Sequence, residues 1–292
     1  MATPVISLAN QKGGVGKTTT SVNLAACLAE RRKKVLLVDL DPQANATSGL
    51  GMEKKEGQSI YHALLGEGSV EALIQRTQLD RLDVVTSEVD LAGSEIDVAR
   101  SDRYLHRFKE AIAPLAAQDR YDFILVDCPP SLGILTMNAL TASESVIIPL
   151  QCEYYALEGL SVITRLVQQL KDSGANPDLK VEGIVMTMYD ARTNLSQQVV
   201  QDVVAHFGEL IYETLIPRSV RLSEAPSYGK PIIVHDRNCT GAAAYRQFAR
   251  EFLERRRSGG PSEIPDEDPD EDAAEPAAEA PAPEPEQPAP AP

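Results

Sequence analysis

Cysteine is scarce and scattered: Cys27, Cys128, Cys152 and Cys239 are the only four in 292 residues, and no two form a C-x-x-C pair. That spacing excludes a structural zinc site or a disulfide framework and suits free thiols in a reducing compartment. The four histidines, His62, His106, His206 and His235, are equally isolated and show no metal-ligand spacing. Long apolar runs are missing as well. No stretch reaches the roughly 20 residues that cross a bilayer, and the opening MATPVISLAN lacks the basic flank of a secretory leader. The expectation is a cytoplasmic protein with no membrane partner.

Basic residues are absent from one region. Residues 258–292 hold 11 of the 43 acidic residues, 10 of the 20 prolines and no Lys or Arg. This segment has one large aliphatic residue, Ile264, too little to offset its ordering entropy, so it is expected to be a disordered acidic tail. The remaining 257 residues carry 32 acidic against 28 basic groups. A body so nearly balanced can present a local basic patch.

Within 1–257 apolar runs rich in Val and Ile alternate with longer amphipathic stretches. Strands are predicted at 5–10, 34–41, 82–87, 123–129, 145–151, 182–189 and 209–217. Helices are predicted at 17–32, 101–117, 133–142, 155–173, 194–207 and 241–257. Several strands are apolar at successive positions, as strands covered on both faces must be. The expected fold is α/β: one domain with a mostly parallel twisted sheet and helices on both faces. Ligands in such folds lie at the carboxyl ends of strands, which directs attention to the residues after Asn10, Leu40 and Val126.

The first of these ends opens into ANQKGGVGKTTTSVNL, residues 9–24. The usual phosphate-loop pattern G-x-x-x-x-G-K-[ST] aligns on Gly16, Lys17 and Thr18, but Gln11 stands where its first glycine belongs. The loop is still sound. Gly13, Gly14 and Gly16 let backbone N–H groups around Val15 turn toward an anion at a helix N-terminus. Lys17 reaches the β and γ phosphates, the Thr18 hydroxyl ligates Mg²⁺, and Thr19 adds a donor to the α phosphate. The departure is Lys12 at the loop's mouth. It is poorly placed for phosphates that already meet Lys17, but can reach a nucleotide held by a facing subunit, as an arginine finger does in trans.

At the second end, VDLDPQ places Asp39 and Asp41 on one strand face near the γ phosphate. At the third, ILVDCPPS ends a strand on Asp127, a Walker-B aspartate that would hold Mg²⁺ through a water. The loop that follows, stiffened by Pro129 and Pro130 and reaching Gly133, can sense the γ phosphate.

KGGVGKTT resembles the deviant Walker A loop of the ParA/MinD family of dimerising ATPases, and VLLVDLDPQANAT and FILVDCPPSLG resemble its next two motifs. Within the family the chain is most similar to bacterial chromosome-partition ParA proteins of the Soj type. The likeness runs on through MTMYDARTNLSQQVV and IPRSVRLSEAPSYGKPI and covers residues 2 to about 255. It implies ATP and Mg²⁺ as cofactors, with Lys12 and Lys17 in catalysis. It makes Asp41 the residue that positions or activates the attacking water, with Asp39 assisting around Mg²⁺. Pro217 and Ser219 would meet the adenine. Position 219 often holds a different small polar residue in the family.

The resemblance also implies an ATP-bound homodimer that binds double-stranded DNA without sequence preference. Arg192 and Arg221 are the matching positions, and Arg218 joins them in the same exposed stretch. No aromatic residue is interleaved for base reading, as phosphate-only contacts require. A ParB-type centromere-binding protein would stimulate a weak intrinsic turnover, and the protein would associate with the nucleoid. No N-terminal helix-turn-helix extension is present, so operator-specific repression is not expected. ERRR at 254–257 either extends the basic patch or favours a helix C-terminus through its dipole.

Two rivals differ in kind. A MinD-like membrane-surface ATPase would need a basic, bulky amphipathic C-terminal helix, where this chain ends in acid and proline. A metabolic kinase would need a substrate pocket that no motif announces.

Overall fold

The computed structural model describes residues 2–259, so nearly all of the acidic tail lies outside the described residues. The chain runs through β1 (Val5–Leu8), α1 (Lys17–Glu30), β2 (Val35–Asp39), α2 (Asn45–Gly49), α3 (Tyr61–Leu64), β3 (Ile74–Arg76) and β4 (Leu82–Val85). Next come α4 (Leu91–Ala99), α5 (Arg107–Ala116), β5 (Phe123–Asp127), α6 (Ile134–Ala142), β6 (Ser145–Gln151), α7 (Ala156–Asp172) and β7 (Lys180–Thr187). The described chain closes with α8 (Asn194–Phe207), α9 (Val220–Glu224), α10 (Ile232–His235) and α11 (Thr240–Ser258).

The seven strands form one sheet in the order β3-β4-β2-β5-β1-β6-β7. All pairings are parallel except that of β3 with β4. Successive apolar residues supply opposite faces. Leu36, Val38, Ile124 and Val126 enter one core, while Val35, Leu37, Phe123 and Leu125 enter the other. This two-sided burial is why the strands read as continuous apolar runs.

The order places β2, β5 and β1 side by side, with Asp39 opposite Asp127 and Asp127 opposite Leu8. Three expected ligand-bearing strand ends therefore meet at one edge of the sheet.

Three expectations need correction. The run 209–217 is not a strand: Gly208–Leu210 is a 3₁₀ turn, and only isolated bridges join Ile211 to Ile184 and Pro217 to Tyr189. The Tyr212 and Ile216 amides still donate to the Ile184 and Met186 carbonyls of β7, both at 2.9 Å. Between them the amides of Glu213 and Thr214 turn to the Glu251 carboxylate on α11 at 2.7 and 3.0 Å and break the ladder. This segment still packs tightly on β7. Gly183 sits at φ 155°, and a Cβ there would lie 2.5 Å from the Tyr212 ring.

The helix expected at 101–117 starts only at Arg107, since 101–106 is a run of turns with Arg103 at φ 55°. The strand expected at 34–41 ends at Asp39, so Asp41 lies in the following turn and not on the same strand face. Pro42, which cannot donate to a ladder, forces the exit.

Candidate functional site

The phosphate loop bridges β1 and α1 and is braced from two sides. The Asn10 side chain donates to the Pro149 carbonyl and accepts from the Lys12 amide, at 2.8 and 3.0 Å. Thr187, ending β7, donates to the Val15 carbonyl at 2.8 Å. Gly14 and Gly16 sit at φ 77° and 89°, a left-handed region that favours glycine. Gly16 caps α1 without a side-chain bond, and no acidic residue occupies the first turn. The first amides of a 14-residue helix thus remain free for an anion.

The two lysines are held in opposite ways. Lys17 is buried, and its ammonium donates to the Lys12 carbonyl across the loop at 2.8 Å. Burial pulls its pKa down, while Asp127, Cys128 and Asp41 act against that pull. Lys12 points outward. Its ammonium ion-pairs with Glu153 and lies 5.9 Å from the Tyr155 ring centroid.

Three carboxylates converge opposite Lys17. Asp127 is fully buried. Ser21 donates to its Oδ1 at 2.7 Å, while its Oδ2 is buried with no hydrogen-bond partner. Burial and the neighbouring Asp39 push the Asp127 pKa up, and the Ser21 and Thr18 hydroxyls oppose the rise. A buried carboxylate with one orphaned oxygen, near the Thr18 hydroxyl and repelled by a neighbouring carboxylate, is a donor set that suits a hard divalent cation. Asp39 is also fully buried, and burial raises its pKa too. Both of its oxygens are engaged, Oδ1 by the Asp41 amide and Oδ2 by the amide and hydroxyl of Thr47. Asp41 sits in the turn after β2, its Oδ1 accepting from the Gln43 amide at 2.9 Å.

On the other flank of α1 a cavity of about 140 Å³ is lined by Gly16, Thr19, Met188, Pro217, Ser219 and Tyr245, among others. Pro217 and Ser219 thus share one cavity with the loop. Sequence reasoning missed Met188, whose left-handed backbone (φ 51°) marks it as constrained. It also missed Tyr245, buried on α11 with its hydroxyl 3.2 Å from that of Thr20. Glu153 and Ser21 carried no sequence signal either, because they matter only through partners 141 and 106 positions away.

Of the arginines, Arg218 lines this same cavity, and Arg192 and Arg221 are carried by the segments beside it. The Arg218 amide donates to the Tyr189 carbonyl at 2.9 Å, which joins its segment to the loop carrying Arg192. Arg221 follows on α9. Arg192 forms a two-pronged pair with Asp190 at 2.9 and 2.7 Å, and hydrogen bonding from Arg192 holds that carboxyl down at about 2. Arg221 bonds Glu224 at 3.0 Å and lies 3.6 Å from Asp236. Arg255 and Arg256 serve elsewhere. Arg255 bonds Glu251 and backbone carbonyls, and Arg256 bridges Glu182 and Glu144 at the sheet edge opposite the phosphate loop.

A β-strand, a glycine loop that frees helix amides, a buried lysine and a strand-ending aspartate define a P-loop nucleoside triphosphatase, here with a second lysine at the loop's mouth. The profile of the family described as an AAA domain matches residues 3–181. The chromosome partitioning protein ParA of Myxococcus xanthus DK1622 is 50% identical over 252 residues, covering 86% of this chain and 88% of that one. The sporulation initiation inhibitor protein Soj of Bacillus subtilis 168 is 53% identical over 248 residues, covering 85% and 97%. Among solved structures, cobyrinic acid a,c-diamide synthase from Mycobacterium smegmatis, bound to an ATP analogue and magnesium, superposes with a TM-score of 0.77. It is 38% identical and covers 90% of this chain and 99% of that one. The chain belongs to the ParA/Soj family of P-loop ATPases, within the deviant Walker A class.

Proposed function

We propose that the protein is an ATP-switched chromosome-partitioning ATPase. Identity carries the assignment to partition: the relatives named for it are 50 and 53% identical, against 38% for the diamide synthase. The observation that carries the switch is the divergence of the two lysines. Lys17 is turned into the phosphate cradle, and Lys12 is turned out of it toward the surface.

ATP and Mg²⁺ are the cofactors. The amides of Gly13 to Thr19 and the Lys17 ammonium hold the phosphates, and the base enters the cavity beside Pro217 and Ser219. Thr18 and, through a water, Asp127 would hold the magnesium, which would neutralise charge on the transferred phosphoryl group. Asp41 orients the attacking water. Lys12 completes the site of a second copy in trans. Around it an open cleft of about 450 Å³, lined in part by Gln11, Tyr155 and Val162, adjoins Tyr154 and Tyr155 at 78 and 61% exposure. An aromatic surface of that kind beside Lys12 is one that a second copy would cover.

The dimer would carry Arg192, Arg218 and Arg221 from two subunits onto DNA phosphates, and a ParB-type partner would trigger hydrolysis and release. On this reading the protein works in the cytoplasm, on the nucleoid. No helix among the described residues is long and apolar enough to cross a membrane. The apolar face of α11, with Phe248 and Phe252, is buried against the sheet and unavailable to lipid.

DNA mobility shift beside liposome flotation, each with ATP and with ADP, tests this reading. ATP-dependent binding to DNA of any sequence and none to anionic liposomes is expected. ATP-dependent flotation without DNA binding would overturn it.

A further inference from the structure

The Asp39 carboxylate sits one residue short of the turn that carries Asp41, and what surrounds it is unlike a cation site. All three of its partners are neutral donors: the Asp41 amide at 3.2 Å, the Thr47 amide at 2.8 Å and the Thr47 hydroxyl at 2.7 Å. The Thr47 hydroxyl accepts from the Ser87 amide at 2.9 Å, so its single proton is left for Asp39.

The Thr47 amide belongs to the first turn of α2, whose preceding residue, Ala44, has no side chain able to cap it. Asp39 supplies the acceptor that this helix start lacks. One carboxylate therefore closes both ends of the 41–47 segment, with Asp41 at the near end and α2 at the far end.

The second buried carboxylate makes the contrast. Asp127 keeps one oxygen without a partner, whereas Asp39 keeps none. Three donors already take three of the carboxylate's about four lone-pair sites, which leaves a cation only the second lone pair of Oδ1, crowded against the Asp41 amide.

The geometry points to a positioning role for Asp39 and Thr47: together they clamp the turn that presents Asp41, and Asp39 holds no magnesium. This rests on the assignment of Asp41 to water activation. Thr47 reaches the chemistry only through Asp39 and Asp41, and the Ser87 amide, on the loop after β4, fixes the clamp from behind.

The test compares Thr47→Val, which keeps shape and loses the hydroxyl, with Thr47→Ser, which restores it, and with Asp39→Asn, in the full-length protein. Two quantities are read: ATP turnover at saturating magnesium, and the magnesium-dependent gain in nucleotide affinity from titrations with Mg²⁺ and with EDTA. A loosened clamp lowers turnover in Thr47→Val by about ten- to a hundredfold, the scale of an ångström of misplacement. The magnesium-dependent gain stays within about twofold in Thr47→Val and Asp39→Asn, and Thr47→Ser regains most of the turnover. In an Asp41→Ala background Thr47→Val has no further effect, because the group it positions is gone.

A tenfold or larger loss of the magnesium-dependent gain in Asp39→Asn would make Asp39 a cation holder and overturn the inference. So would full turnover in Thr47→Val. Normal turnover in Asp41→Ala alone is a different failure, since it removes the assignment of Asp41 itself.

Discussion

Lys17, Asp39 and Asp127 are 6, 0 and 0% exposed, whereas the Arg192 and Arg221 side chains stand 87 and 58% open to water. The first group is a set of charges that cannot be left alone. Each is desolvated, and its partners are either built into the strand ends or must arrive with magnesium and phosphate. The second group is already satisfied by local carboxylates, Asp190 for Arg192 and Glu224 with Asp236 for Arg221. The buried site therefore depends on its ligand for charge balance. On the proposed reading the surface patch would only exchange one anion for another, so its binding to DNA would be weak, additive and sensitive to salt.

The largest effect that can break this contrast is at Lys12. Lys12→Ala should keep nucleotide affinity within a few fold but lose partner-stimulated turnover by about a thousandfold or more, the scale of an arginine finger. Lys17→Ala should do the reverse and weaken nucleotide binding itself by about a hundredfold, as the loss of a charged hydrogen-bond donor implies. Nucleotide titration beside single-turnover hydrolysis separates the two. A normal rate for monomeric Lys12→Ala would place Lys12 outside the mechanism.

Next is the dependence of stability on pH. Burial holds the Asp39 and Asp127 pKa values above the ordinary carboxylate range, so the folded chain binds more protons than the unfolded chain once pH exceeds about 4. Without ligand, stability should therefore fall as pH rises from that point toward neutrality. Mg-ATP should flatten the fall by supplying positive charge, and Asp127→Asn should flatten it without ligand. Thermal melts from pH 5 to 8 read both effects, and a ligand-free stability that rises across this range would contradict the burial argument.

Effects on the arginine face should be smaller. Arg192→Ala and Arg221→Ala should each weaken binding equally for any DNA sequence and lower the salt slope by about one phosphate contact per subunit. Asp190→Asn should tighten binding a few fold by releasing Arg192 from its carboxylate. A loss that depends on sequence would point to base reading. The smallest effect belongs to the tail. If residues 258–292 compete with DNA for the arginines, truncation after Arg257 tightens DNA binding at low salt and the difference vanishes at high salt.

Most of the buried site was legible because parallel strands write themselves as apolar runs and end where the chemistry sits: Asn10, Asp39 and Asp127 fall at or just past three such ends. The parts that were not legible depend on contacts distant in sequence. The 209–217 run has the composition of a strand, but Glu251, 37 positions beyond Thr214, takes the two amides at its middle. Glu153 reaches Lys12 across 141 positions, and no local pattern announces the pair. The short elements α2, α9 and α10 have too few residues for a periodicity, and tertiary bonds hold them. One such bond runs from the Ile232 amide to Asn23 on α1, at 2.7 Å.

The central claim is that ATP drives two copies together and that Asp41 ends that state. Size-exclusion chromatography with light scattering on Asp41→Ala, in ATP and in ADP, tests it most directly. A stable dimer in ATP and a monomer in ADP, while the unsubstituted protein returns to monomer as ATP is consumed, is the predicted result. A monomer in both nucleotides, with ATP shown to be bound, would contradict the account.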